Sequence, residues 1–166
     1  MTVFQRILVP IDGSGPSEAA LDLSLQLAKD WSSDLILCNI VDSDRIVAEC
    51  ASTTYGDPQP IIDAMMQSAE QLLSHASDKA QAGGLSCRTH LRRESSIVLG
   101  ILALARSEKA ALIVMGSHGR RGLSRLVMGS TTEGVIRSSE IPVLVVRESR
   151  EQKPVARGEA HAVTKT

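Results

Sequence analysis

Five runs of the chain are apolar enough to form strands: FQRILVPI (4–11), DLILCNIV (34–41), LSCRTHL (85–91), AALIVMG (110–116) and PVLVV (142–146). All but the third are close to continuously apolar, as parallel strands covered on both faces are. The third sets Leu85, Cys87, Thr89 and Leu91 against Ser86, Arg88 and His90, which predicts a half-exposed strand at a sheet edge. Between the runs the period lengthens to three and four. Over 16–31, Ala20, Leu23, Leu27 and Trp31 share one side of a helix, with Glu18, Asp22, Gln26 and Lys29 on the other. Pro16 suits its first turn. Further helices are predicted over 61–81, closed by Gly83 and Gly84, over 95–108, and over 130–138, where Ser130 and Glu133 have capping-box spacing.

Strands therefore alternate with helices throughout. That order predicts an α/β fold: a single-domain, doubly wound, Rossmann-like sheet of five parallel strands with helices on both faces. The domain is expected to span residues 1–147. Residues 148–166 lose the periodicity and are expected to form a flexible tail. The connection 42–60, with Asp44, Glu49 and Tyr55, carries no decisive pattern.

Composition narrows the function classes. A net charge of −1 gives no long-range attraction to nucleic acid or acidic membranes, so any anion site must be local. Phe4, Trp31 and Tyr55 are one of each aromatic type, too few for a base-stacking platform. Cys38, Cys50 and Cys87 include no CxxC pair and are odd in number, so no disulfide framework is expected. No stretch reaches the roughly 18 apolar residues of a membrane span. A cytoplasmic location is the resulting expectation.

Candidate chemistry concentrates in GSHGRRGLSRLVMGST (116–131). Gly116 and Gly119 follow the fourth strand, and Gly129-Ser130 precedes the last helix. Residues without a Cβ let main-chain N–H groups approach an anion, and a helix N-terminus favours phosphate. Arg120, Arg121 and Arg125 add positive charge between them. A phosphate chain held between the two glycine clusters is the functional expectation; tight turns and a helix cap are the plainer explanation of the same glycines. No Walker-type Gly-Lys-Ser/Thr element is present, and Gly13-Ser14-Gly15-Pro16-Ser17-Glu18 lacks the third glycine of a dinucleotide fingerprint. Asp12, at the tip of the first strand, could accept from an adenine amine or a ribose hydroxyl, or could serve only as a turn residue.

RILVPIDGS near the start, ALIVMGSHGRRGLSRLVMGSTTEGVIRSS, and the closing PVLVV together resemble the universal stress protein family over roughly residues 2–147. The G-x2-G-x9-G-[ST] spacing is that of the family's ATP-binding members. The resemblance implies that Pro10 and Asp12 line the adenine and ribose end, with Val41 packing on the base. It further implies that Met115, Gly116, His118 and Gly119 face the ribose and first phosphates, and that Gly129, Ser130 and Thr131 close over the phosphate tail. ATP, or ADP or AMP, would be the ligand, with Mg²⁺ or Mn²⁺ held through the phosphates and no metal-ligating side chain. A homodimer through antiparallel pairing of residues 143–146, and an unidentified regulatory protein partner, follow from the same resemblance. Glu94 stands where many members have a glycine.

Three function classes remain open on the sequence. The favoured one is a stress-response regulator whose bound nucleotide sets its shape or partners. The second is a slow ATPase or phosphotransferase using His118 and Asp12, with the three arginines for charge. The third is a ligand-free dimeric scaffold, for which Leu99 and Leu104 on an unusually apolar helix could form a partner surface.

Overall fold

A computed structural model describes residues 4–52, 56–119 and 128–148. The elements run β1 (Arg6–Pro10), α1 (Gly15–Trp31), β2 (Asp34–Asp42), α2 (Ser43–Ala51), α3 (Gln59–Ala82), β3 (Cys87–Glu94), α4 (Ile97–Ser107), β4 (Leu112–Gly116), α5 (Ser130–Ser138) and β5 (Val143–Val146). The five strands form one sheet in the order β3-β2-β1-β4-β5, and every pairing is parallel. The chain winds outward from β1 to β3, returns, and winds outward again through β4 to β5. The reversal lies between β1 and β4, as in a doubly wound fold.

Alternate residues of each central strand serve opposite layers. Ile7, Val9, Leu35, Leu37, Leu112 and Val114 meet α1 and α3 through Ala20, Leu21, Ala28, Leu73 and Ala76. Leu8, Ile36, Cys38, Ile113 and Met115 meet α4 and α5 through Ile101, Leu104, Ala105 and Val135. Covered on both sides, these strands read as unbroken apolar runs. Within the second layer, burial pushes the Cys38 thiol up to about 12, against a smaller opposing influence of the Arg92 charge, so it stays protonated and inert at neutral pH. β3 is an edge strand, as its alternation predicts: Cys87 and Leu91 pack inward. Its Arg88 reaches Glu108 at 2.6 Å, and His90 lies 3.3 Å from the same carboxylate.

The structure departs from the sequence pattern in several places. The side of α1 that meets the sheet is Ala20, Leu21, Ser24 and Ala28; of the predicted stripe Ala20 is fully buried, Leu27 packs partly buried against the same core, and Leu23 and Trp31 lie further out. Small residues let the helix come closest, and the Ser24 hydroxyl is satisfied by donating to the Ala20 carbonyl at 2.7 Å. Trp31 sits at the margin against Phe4, ring centroids 5.0 Å apart. The 42–60 connection contains α2, started by the Asp42 carboxylate accepting from Arg45 N at 3.0 Å. Ile46 and Cys50, one turn apart, bury α2 on Val41, Ile62 and Ala69. Leu104 is core, whereas Leu99 is 65 % exposed, so the two do not form one surface. Glu94 ends β3 opposite Asp42 without a left-handed backbone, and Ser96 caps α4. Tyr55 and, of the expected tail, residues 149–166 lie outside the described residues.

Candidate functional site

β1 and β4 are hydrogen-bonded neighbours in parallel register, Ile7 beside Leu112 and Leu8 beside Ile113. Their carboxyl ends therefore emerge side by side where the winding reverses, the place at which open α/β sheets form their crevice. The segment after β1 supplies Ile11, Asp12 and Ser14; the segment after β4 supplies Ser117, His118 and Gly119. They touch. The Ser14 hydroxyl lies 3.4 Å from the His118 carbonyl. A Cβ built on Gly119 would stand 2.5 Å from Asp12 Oδ2.

The head of α5 closes onto the same spot. Gly129 N donates to the Ser117 carbonyl at 2.8 Å, and the buried Thr132 hydroxyl donates to the Gly116 carbonyl at 2.8 Å. A Cβ on Gly129 would lie 3.0 Å from His118 Cα. With consecutive Cα atoms roughly 3.8 Å apart, Gly119 and Ser130 are then separated by about 12 Å at most. Gly129 takes the cap position of α5 itself, so the capping box expected at Ser130 is not made, and Glu133 bonds Arg137 at 2.5 Å. Helices α1, α2 and α4 are each closed by a side chain of their own N-cap residue; α5 begins with none.

The three glycines have different reasons to be glycines. A Cβ at Gly116 would meet the backbone of α1, 2.8 Å from Pro16 C and 2.9 Å from Ser17 N, so this position is bare because a helix packs on it. At Gly129 the neighbour is again backbone. At Gly119 the neighbour is a carboxylate oxygen of Asp12, and the bare main chain there faces that side chain rather than the core.

Asp12 is held by its surroundings. Its Oδ1 accepts from Ser14 N at 2.9 Å and from Ser14 Oγ at 2.6 Å, and its own N–H donates to Ser17 Oγ at 3.1 Å. Asn39 Nδ2 donates to the Ile11 carbonyl at 2.6 Å, pinning the same tip to β2. His118 is half-buried, with Nδ1 3.0 Å from Ser117 Oγ.

Of the expected site residues, Pro10, Asp12, Gly116, His118, Gly119, Gly129, Ser130 and Thr131 gather at this end of the sheet. Val41 ends the neighbouring strand, but its side chain is only 3 % exposed and is held among Ile46, Cys50 and Ile62. Met115 is 5 % exposed, and its side chain belongs to the α4 and α5 layer. What these two offer a ligand is mainly backbone. Arg120, Arg121 and Arg125 lie outside the described residues. Among the described residues, no three His, Cys, Asp or Glu side chains stand together to hold a metal ion. Ser17, Ser117 and Thr132, all buried, escape a sequence reading, as does half-buried Asn39. Only Ser14 carries a signal, as the polar residue preceding a Gly-Pro helix start.

Comparison with known proteins bears on this geometry. The sequence pattern described as "Universal stress protein family" matches residues 4–147. Universal stress protein YxiE of Bacillus subtilis is 30 % identical over 149 residues, covering 87 % of this chain and all of YxiE. The structure of MJ0577, a protein of Methanocaldococcus jannaschii, superposes with a TM-score of 0.77 at 25 % identity, covering 89 % of this chain and 99 % of that one. A universal stress protein solved in complex with cAMP superposes with a TM-score of 0.62 at 26 % identity, covering 88 % and 98 %.

Proposed function

Since the chain belongs to the universal stress protein family, we propose that it is an adenine-nucleotide-binding regulatory protein of the stress response, acting in the cytoplasm. The observation that carries the reading is the closure of Gly129 on His118, which brings the tip of β4 and the uncapped head of α5 together opposite Asp12. Unpaired N–H groups and the positive end of the α5 dipole favour an anion there. The missing Cβ at Gly129 is what lets the head of α5 seat on His118, so that its N–H groups lie beside the tip of β4. Pro10, Asp12 and the backbone at Val41 would receive the adenine and ribose. Met115, Gly116, His118 and Gly119 would follow the sugar and first phosphates, and Gly129, Ser130 and Thr131 the rest of the tail. The neighbour holding cAMP supports an adenine ligand. ATP is the proposed occupant, with ADP or AMP using the same cradle. Mg²⁺ or Mn²⁺ would be held by phosphate oxygens.

Calorimetric titration with ATP tests this. Wild-type protein is expected to bind, and Gly129→Val to lose at least tenfold in affinity, its side chain pressing on His118 and unseating the head of α5. Circular dichroism of the variant checks that the fold is kept. Gly116→Val is a poorer probe, because its side chain would strike α1 whether or not a ligand binds. Absence of binding by wild-type protein to ATP, ADP and AMP alike would end the proposal.

A further inference from the structure

The two outer strands of the sheet differ in character. β5 is four apolar residues, VLVV, whereas β3 runs for eight, CRTHLRRE, with three arginines and a histidine. Among the described residues β3 pairs with β2 alone. Leu35 N donates to the Ser86 carbonyl at 3.2 Å, which sets the phase of the ladder. By the two-residue alternation Ser86, Arg88, His90 and Arg92 turn their main chain to β2, and Cys87, Thr89, Leu91 and Arg93 turn theirs outward. Those outward N–H and C=O groups are a template for an added strand.

The side chains decide what strand would fit. Arg88 and His90 both turn to the Glu108 carboxylate, at 2.6 and 3.3 Å. Arg92 and Arg93 form no ion pair with any described residue. Arg93 is exposed, and an exposed charge on an edge needs no partner, since it serves to keep other edges away. Arg92 is different. It is half-buried, and its charge is felt across β2, where burial raises the Cys38 thiol and Arg92 opposes that rise. A guanidinium partly withdrawn from water is stabilised by a facing anion, and the described residues supply none there. Being consecutive, Arg92 and Arg93 stand on opposite faces of the edge, so one added strand could meet both with consecutive carboxylates. A second copy of β3 would bring more arginines, and like charges side by side are destabilising.

We propose that the β3 edge docks an acidic segment of a partner protein, which extends the sheet as a further strand and sets consecutive carboxylates beside Arg92 and Arg93. Main-chain bonds to the outward residues supply affinity, and the two arginines supply the choice of sequence. Beside Thr89 and Leu91 the fitting side chains are apolar or β-branched. The inference does not depend on the nucleotide reading.

The test uses the peptide Glu-Glu-Val-Thr-Val-Glu-Glu, capped at both ends, which reads the same in either strand direction. Titration followed by amide NMR is expected to give a Kd of about 1 mM or tighter. The largest shifts, and slowed hydrogen exchange, are expected at Cys87, Thr89, Leu91 and Arg93. The counterpart Lys-Lys-Val-Thr-Val-Lys-Lys should not bind. Arg92→Gln and Arg93→Gln together should weaken the acidic peptide roughly tenfold, the size of two partly exposed ion pairs. Thr89→Pro removes one outward N–H while sparing the bonds to β2, and should weaken it to a similar degree. Circular dichroism checks that each variant keeps the fold, and either one suffices if the other does not. The proposal is overturned by an acidic peptide that does not bind, by a lysine peptide that binds as well, or by unchanged affinity in a folded variant. Shifts confined to other elements overturn it too. Tighter binding of oligothymidylate than of the peptide would give the arginines to nucleic acid and would equally overturn it.

Discussion

Gly116 and Gly15 show how little a glycine says until its neighbours are known. An added Cβ at Gly116 runs into the Pro16 and Ser17 backbone, which cannot yield. Gly116→Ala is therefore expected to lower stability by about 1–3 kcal/mol, an overpacking cost. At Gly15 the nearest atoms, 2.6–2.8 Å from a Cβ, all belong to the exposed end of the Glu148 side chain, which can swing away. Gly15→Ala should leave stability within about 0.5 kcal/mol of wild type. Urea unfolding of the two variants checks both values; equal losses would mean that the helix-to-strand contact at Gly116 is not tight. The same scale limits the site. Asp12, Gly119 and Gly129 could be chosen from the sequence by residue type and spacing, because glycine and a strand-tip aspartate have few common uses. Ser17 and Thr132 could not, since a serine or threonine in a first helical turn is ordinary and only its burial and partner make it otherwise.

At the level of elements, α4 illustrates where periodicity stops being informative. Ile97, Val98, Leu99, Ile101, Leu102 and Leu104 are apolar around most of the circumference, so the sequence leaves the buried side undefined. The structure chooses Gly100, Ile101, Leu104 and Ala105 for the sheet and turns Leu99 outward. Leu104→Ala is expected to cost about 2–5 kcal/mol by opening a cavity, and Leu99→Ala less than about 0.5 kcal/mol. Thermal unfolding distinguishes them, and a large loss for Leu99→Ala would show that its face is covered in solution. α2 was missed for the opposite reason. Nine residues offer two buried apolar positions, Ile46 and Cys50, and the helix exists because Asp42 caps it and α3 receives it. Short helices are set by their contacts more than by propensity.

For the whole molecule, β5 is the outer strand beyond β4, and among the described residues it pairs with β4 alone. The Pro142 and Val146 carbonyls accept from Ile113 and Ser117, so by the two-residue alternation the main chain of Val143 and Val145 points away from the sheet. An unpaired edge of this kind invites a second copy. The dimer proposed for this edge predicts that Val145→Pro, which deletes an outward N–H and spares the ladder to β4, converts dimer to monomer in sedimentation without unfolding it. A monomeric wild type would refute that dimer. Local pattern carries the number and kind of strands, the helices between them, the exposed character of β3 and the spacing of the glycine run. Each of those depends on which positions must leave water or do without a Cβ, and that is written residue by residue. Which side of α1 faces inward, the existence of α2 and the seating of Gly129 on His118 came only from the folded chain. These join residues up to about a hundred positions apart, and their partners are chosen by how the layers pack together, a competition that no local stretch of sequence contains.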